Sequence, residues 1–200
     1  MFEHVNGESN VRLITGFEPF ISSAGLHLDS NPTDDLARKV AAEADSIHCQ
    51  ILPVSFQKTR IELLDAFDEV RPRMWLGLGF APHRTTIDIE AIALNIEHCI
   101  RPDNDGAIPQ MRPILEDAPT AYETKLDVQA AQRRLSRFGL DVRVSLHAGG
   151  FLCNQSFFLG CHTAETTPFL DIAAFIHVPP LADYSPLKAG LVDLLTHFSP

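Results

Sequence analysis

The sequence predicts a three-layer α/β/α domain with a mostly parallel, mixed central sheet. Three observations lead there. Segments of strand character alternate with segments of helical period along the chain, the order expected when helices cross over between parallel strands. Met74-Trp-Leu-Gly-Leu-Gly79 is an apolar run bounded by turn residues, as a strand buried on both faces requires. Two hundred residues suit one domain with a full hydrophobic core. The expected domain spans residues 1–200, with 1–10 as a flexible lead.

The elements follow in order. Val11-Arg-Leu-Ile-Thr15 is a short β-rich strand ended by Gly16. The loop Phe17 to Ser30 leads to Asn31-Pro32-Thr33-Asp-Asp35, a helix start with acidic residues in its first turn, and that helix runs to about Ala44. His48 to Val54 alternates as a second strand. Lys58 to Val70 carries Ile61, Leu64, Phe67 and Val70 at helical spacing, and Pro72 closes it. After the Met74 run, Thr86 to Ile96 alternates with period two and predicts one strand with a wetter face holding Asp88 and Glu90. Ile100 to Thr120 is rich in Pro, Asp and Gly and reads as irregular loop, a length that usually serves function or an interface. Asp127 to Phe138 is an amphipathic helix stopped by Gly139. Val142 to Leu146 is a strand, Gln155 to Glu165 a helix, Leu170 to Val178 a strand and Pro186 to Phe198 the last helix.

Composition excludes several classes. The net charge of -10, with no Lys/Arg-rich run, argues against a nucleic-acid partner. No apolar run approaches the roughly 18 residues of a membrane span, and the polar first ten residues are not a signal peptide, so a cytoplasmic protein is expected. Cys49, Cys99, Cys153 and Cys161 are scattered in apolar contexts, which fits a reducing compartment better than a disulfide framework. Neither CxxC nor HExxH spacing occurs among the cysteines and nine histidines, so no metal and no cofactor are expected.

One stretch suggests chemistry. In Ser145-Leu-His-Ala-Gly-Gly-Phe-Leu-Cys-Asn154 a strand runs into a glycine pair, and a thiol follows just before a helix start at Asn154. Free helix N–H groups favour an anion, thiolate or oxyanion. Cys153 reads either as a small buried hydrophobe or as a nucleophile. A nucleophile needs a base, and His177, ending the apolar run Ile172-Ala-Ala-Phe-Ile176, is either that base or a core histidine. A third group should orient the imidazole; Glu90 could do so, or could be an exposed strand residue.

These separate signals meet a pattern. Leu13-Ile-Thr-Gly-Phe-Glu-Pro-Phe20 with Asn31-Pro32, Arg84-Thr-x-Ile-x-Ile-Glu90 with Asn95, Ser145-x-x-Ala-Gly-x-Phe-Leu-Cys-Asn154, and Phe175-Ile-His-Val-Pro179 resemble, in order, the motifs of pyroglutamyl peptidase I, the pyrrolidone-carboxylate peptidases. The resemblance runs from about residue 11 to 195. It implies a cysteine-type omega peptidase that removes an N-terminal pyroglutamyl residue from peptides through a thioester acyl-enzyme. Cys153, His177 and Glu90 would be its catalytic triad. Phe17, Phe20, Phe151 and Leu152 would line the pocket for the neutral lactam, and Phe80 and Arg84 would belong to the oxyanion region. The resemblance also implies a homo-oligomer, a tetramer or dimer.

The chain departs from the family pattern around the site. Phe20 is followed by Ile21-Ser22, and the loop Ile21 to Ser30 is longer. The family's Gly-Gln-Ala-Gly-Gly-Arg becomes Gly79-Phe-Ala-Pro-His-Arg84, which loses a glutamine and two glycines. Ala91 stands where arginine is usual. Arg-Ile-Pro-Asp-Asn becomes Ile100-Arg101-Pro102-Asp103-Asn104, moving the basic group by one place, which in an extended segment turns it to the other face. Two alternatives stay open: a thiol amidase for another small neutral acyl group, or a silent homologue that binds without turnover.

Overall fold

The computed structural model describes residues 11–20 and 30–197. The expected lead, the loop positions Ile21 to Asp29 and Phe198 lie outside them. Six strands form the main sheet: β1 (Arg12–Phe17), β2 (Ile47–Leu52), β3 (Met74–Phe80), β4 (Ile87–Glu90), β7 (Val142–Ser145) and β8 (Ile172–Val178). Their spatial order is β2-β1-β3-β8-β4-β7. All neighbours are parallel except β4 and β8, which pair antiparallel with Asp88 opposite His177. The sheet is therefore mixed and mostly parallel, as expected.

Alternation along each strand divides the core into two layers. Leu13 and Phe17 of β1, Trp75 of β3 and Ala173 and Phe175 of β8 pack on one face with α2 (Phe56–Val70) and α4 (Leu152–Thr166). Ile14, Leu76, Leu78, Ala174 and Ile176 pack on the other with α1 (Pro32–Ala41), α3 (Val128–Ser136) and α5 (Ser185–His197). Helix starts are capped by side chains at three places: Asn31 accepts from Thr33 N at 3.1 Å, Ser55 from Lys58 N at 3.2 Å and Asp127 from Ala130 N at 2.9 Å. No described helix is long and apolar enough to cross a membrane.

Packing on the α2/α4 face depends on absent side chains. A Cβ at Gly77 would lie 2.5 Å from the Phe175 ring, and one at Gly160 of α4 would lie 2.4 Å from the Trp75 ring. The glycines let two large aromatics fill the gap between sheet and helix.

Two expectations are corrected. The segment from Thr86 to Ile96 is not one strand with a wet face. It splits at Ala91 into β4 and β5 (Ile92–Leu94), and β5 pairs antiparallel with β6 (Ala121–Glu123) in a separate two-stranded sheet. Asp88 and Glu90 are fully buried, because arginines rather than water satisfy their carboxylates. The helix expected from Gln155 starts at Leu152, with Phe151 as an N-cap lacking a side-chain hydrogen bond. Cys153 thus sits inside the first turn rather than before it.

Candidate active site

The period of two in the strands selects the residues that can meet. On β8, Ala173 and Phe175 face α4, so His177 does too. On β3, Trp75 sets the same face for Gly77 and Gly79. On β4, Ile87 and Ile89 belong to the opposite layer, which sends Asp88 and Glu90 to the α4 side. Gly79 is in register with His177, and Asp88 opposes it from β4. Helix α4 supplies Cys153, whose Sγ lies where a Gly79 side chain would need space; a Cβ there would be 2.8 Å from it.

β4 and β7 run opposite to the other four strands. The turn leading to Cys153 is therefore not one more carboxyl end on a shared sheet edge, as a fully parallel arrangement would have it. The loop 146–151 brings the chain back. Gly149 has φ +85°, and Gly150 accepts from His98 N at 2.9 Å. A Cβ on Gly150 would meet the His98 carbonyl at 2.7 Å. Asn154, next to the thiol and fully buried, clamps β5 by accepting from Leu94 N at 3.0 Å and donating to the carbonyls of Leu94 and Ile96 at 2.8 and 2.9 Å.

The structure brings together Cys153, His177 and Glu90. His177 Nδ1 is 2.6 Å from Glu90 Oε1, with Glu90 wholly buried and His177 6% exposed. Burial pushes the imidazole pKa down, but the charge and hydrogen bond of Cys153 and the hydrogen bond and charge of Glu90 outweigh it and raise the value to about 9. The ring is thus biased toward its imidazolium form beside the Cys153 sulfur. Burial pushes the Cys49 thiol up to about 11 and raises Cys99 and Cys161 as well.

Arg84 reaches the carboxylates behind the imidazole. Its Nη1 donates to Glu90 Oε1 at 2.7 Å and also to Asp88. Asp88 further accepts from Arg143 at 2.6 and 2.9 Å and from Thr86 at 2.6 Å. Burial alone would raise the Asp88 pKa; the hydrogen bonds of Arg143 and Thr86 and the Arg84 charge hold it below the ordinary value. The Arg84 guanidinium thus ties the two buried carboxylates behind the imidazole together through one Nη1. Near the thiol, the backbone N–H groups of Leu152 and Cys153 fall in the first turn of α4, where no helical carbonyl can accept them.

A cavity of about 220 Å³ opens beside Cys153. Phe17, Phe20, Phe80, Phe151 and Leu152 line it, so each phenylalanine singled out in the sequence reaches this space. Sequence reasoning missed Asn31, Val54, Pro82, His83 and Arg101 as lining residues. For Pro82, His83 and Arg101 the signal was present, since all three sit in the altered runs. Val54 had none.

Known proteins resemble this chain along most of its length. The profile of the pyroglutamyl peptidase family matches residues 10–192. The pyrrolidone-carboxylate peptidase of Thermococcus litoralis is 39% identical over 171 residues, covering 84% of this chain and 75% of that protein. The one from Gloeobacter violaceus is 35% identical over 186 residues, 91% of this chain and 87% of its own. Among solved structures, the pyrrolidone carboxyl peptidase of Fervidobacterium islandicum superposes with a TM-score of 0.86 at 26% identity, covering 92% and 96% of the two chains. That of Thermococcus litoralis gives 0.85 at 31% identity over 94% and 93%. With the family profile spanning nearly the whole chain and relatives above 30% identity along most of its length, this chain belongs to the pyroglutamyl peptidase family.

Proposed function

We propose that the chain hydrolyses an N-terminal pyroglutamyl residue from peptides, with Cys153 as nucleophile, His177 as acid and base, and Glu90 holding the imidazole. The observation that carries these roles is the 2.6 Å Glu90–His177 contact buried next to a thiol at a helix start. The Cys153 thiolate attacks the pyroglutamyl carbonyl, and the N–H groups of Leu152 and Cys153 receive the oxyanion. The tetrahedral intermediate collapses as His177 gives its proton to the departing amine, leaving a thioester. Water, deprotonated by His177, then attacks the thioester. Pyroglutamate leaves and the thiolate–imidazolium pair is restored. Glu90 accepts from Nδ1–H, which holds that proton on the ring, and stabilises the imidazolium, in the manner of a triad carboxylate.

Phe17, Phe20, Phe80, Phe151 and Leu152 suit the flat, uncharged lactam, which has little to gain from a charged floor. The whole chain acts as one catalytic unit in the cytoplasm and assembles as a homo-oligomer. The alternatives of another acyl substrate or a silent homologue are not favoured by the family membership. The test is hydrolysis of a fluorogenic pyroglutamyl amide. Turnover abolished by iodoacetamide and by Cys153→Ala supports the reading. No turnover by the intact chain, or unchanged turnover in Cys153→Ala, overturns it.

A further inference from the structure

The cavity beside Cys153 is not uniform from floor to mouth. Its floor is apolar and closed: Phe17 and Val54 are 4% exposed and Leu152 is 1% exposed. Its mouth carries two exposed polar side chains, His83 and Arg101. No acidic residue is among the described lining. Arg101 makes no ion pair among the described residues, although the chain as a whole carries a net charge of -10. Its neighbour Ile100 is 81% exposed and is not part of the lining, whereas Arg101 is.

That loop is built to stay in place. Buried Asp103 accepts from Phe56 N and Ala107 N at 2.8 Å and from Asp105 N at 3.0 Å. Asn104 N donates to the Val54 carbonyl at 2.8 Å, and its side chain reaches the Pro19 carbonyl at 3.3 Å. The ordering cost of placing Arg101 at the mouth is thus largely met before a substrate arrives.

The attacking thiol divides a substrate into an acyl group and a departing amine. The apolar floor suits the lactam, which leaves the mouth to the residue that follows it. We propose that Arg101, at a mouth that His83 also lines, selects peptides carrying an acidic residue directly after the pyroglutamyl group. This rests on the pyroglutamyl peptidase reading. An exposed pair of this kind gives a modest preference, about three- to fivefold, and one that weakens with salt.

The test compares kcat/KM for pyroglutamyl-Asp, pyroglutamyl-Ala and pyroglutamyl-Lys peptides at low and high salt. The intact chain should favour Asp over Ala by about three- to fivefold and Ala over Lys, with the spread shrinking at high salt. Arg101→Gln should compress the series, and Arg101→Glu should reverse it. Equal rates on all three peptides in the intact chain overturn the proposal. So does an Arg101→Gln series with the original spread, or one lowered equally throughout, which would place Arg101 on the acyl side. Failure to turn over any pyroglutamyl peptide would instead refute the underlying activity.

Discussion

Glu90→Gln isolates the group that holds the imidazole. Glu90 Oε1 accepts from both His177 Nδ1 at 2.6 Å and Arg84 Nη1 at 2.7 Å, while Oε2 is buried with no partner among the described residues. In the variant the amide oxygen keeps the first place, and the NH2 occupies the second without an acceptor. A buried unsatisfied donor costs about 1–3 kcal/mol, or roughly 2–12 °C in Tm for a domain of this size. Arg84 retains Asp88, so the fold survives. The larger effect is on charge. Burial depresses the His177 pKa, and Cys153 and Glu90 together lift it to about 9. A hydrogen bond to a charged group contributes about 1.5–3 kcal/mol, so losing the carboxylate should reduce kcat/KM roughly 10- to 100-fold. Activity in the parent should fall as pH rises through about 9, where His177 loses the proton owed to the leaving amine. In Glu90→Gln this alkaline limb should move down by about 1–2 pH units. The assay is a pH profile of pyroglutamyl amide hydrolysis alongside thermal circular dichroism. A limb unmoved near 9, with kcat/KM within twofold of the parent, would refute the reasoning.

Three further outcomes are expected. Gly79→Ala places a Cβ 2.8 Å from Cys153 Sγ and 2.9 Å from the Phe175 ring. It should lower kcat at least tenfold, by roughly 1.4 kcal/mol in the barrier, with circular dichroism retained; parental kcat would disprove the contact. Limiting iodoacetamide at pH 7 should label Cys153 before Cys49, Cys99 and Cys161, whose thiols burial raises, and peptide mapping by mass spectrometry reads the order. The His177 contribution to stability should be full below its ordinary value of 6.5 and vanish as pH rises through about 9, because the folded value is the higher. Denaturant midpoints across that window should show a loss that Cys153→Ala diminishes.

Much of this architecture can be read from local pattern. The Met74 run and Ile172 to Val178 are apolar at every position but one, and both lie in the middle of the sheet. Caps at Asn31 and Asp127 stand where their residue types suggest. Pattern fails where burial and polarity part company. Asp88 and Glu90 alternate with isoleucines as surface residues do, and only the distant Arg143 and the turn that folds Arg84 back show why they are inside. The start of α4 is hidden for a similar reason, since Phe151 caps it without any side-chain hydrogen bond. Local pattern offered Cys153, His177 and Glu90 only as residues with ordinary alternatives, and motif resemblance is what grouped them. The Arg84 tie to Glu90 and the place of Arg101 in the cavity lining needed three dimensions.

Glu90 and His177 lie 87 residues apart in sequence and meet across the antiparallel seam between β4 and β8. That seam joins the four-stranded parallel portion of the sheet to the β4–β7 pair. Pairings so distant in the chain form late, after loop-closure entropy has been overcome by other contacts. During refolding, helix signal should therefore recover before hydrolytic competence. On the proposed mechanism, a nascent chain would carry Cys153 without its imidazole partner, and the thiol would gain its reactivity only when this long-range pairing closes.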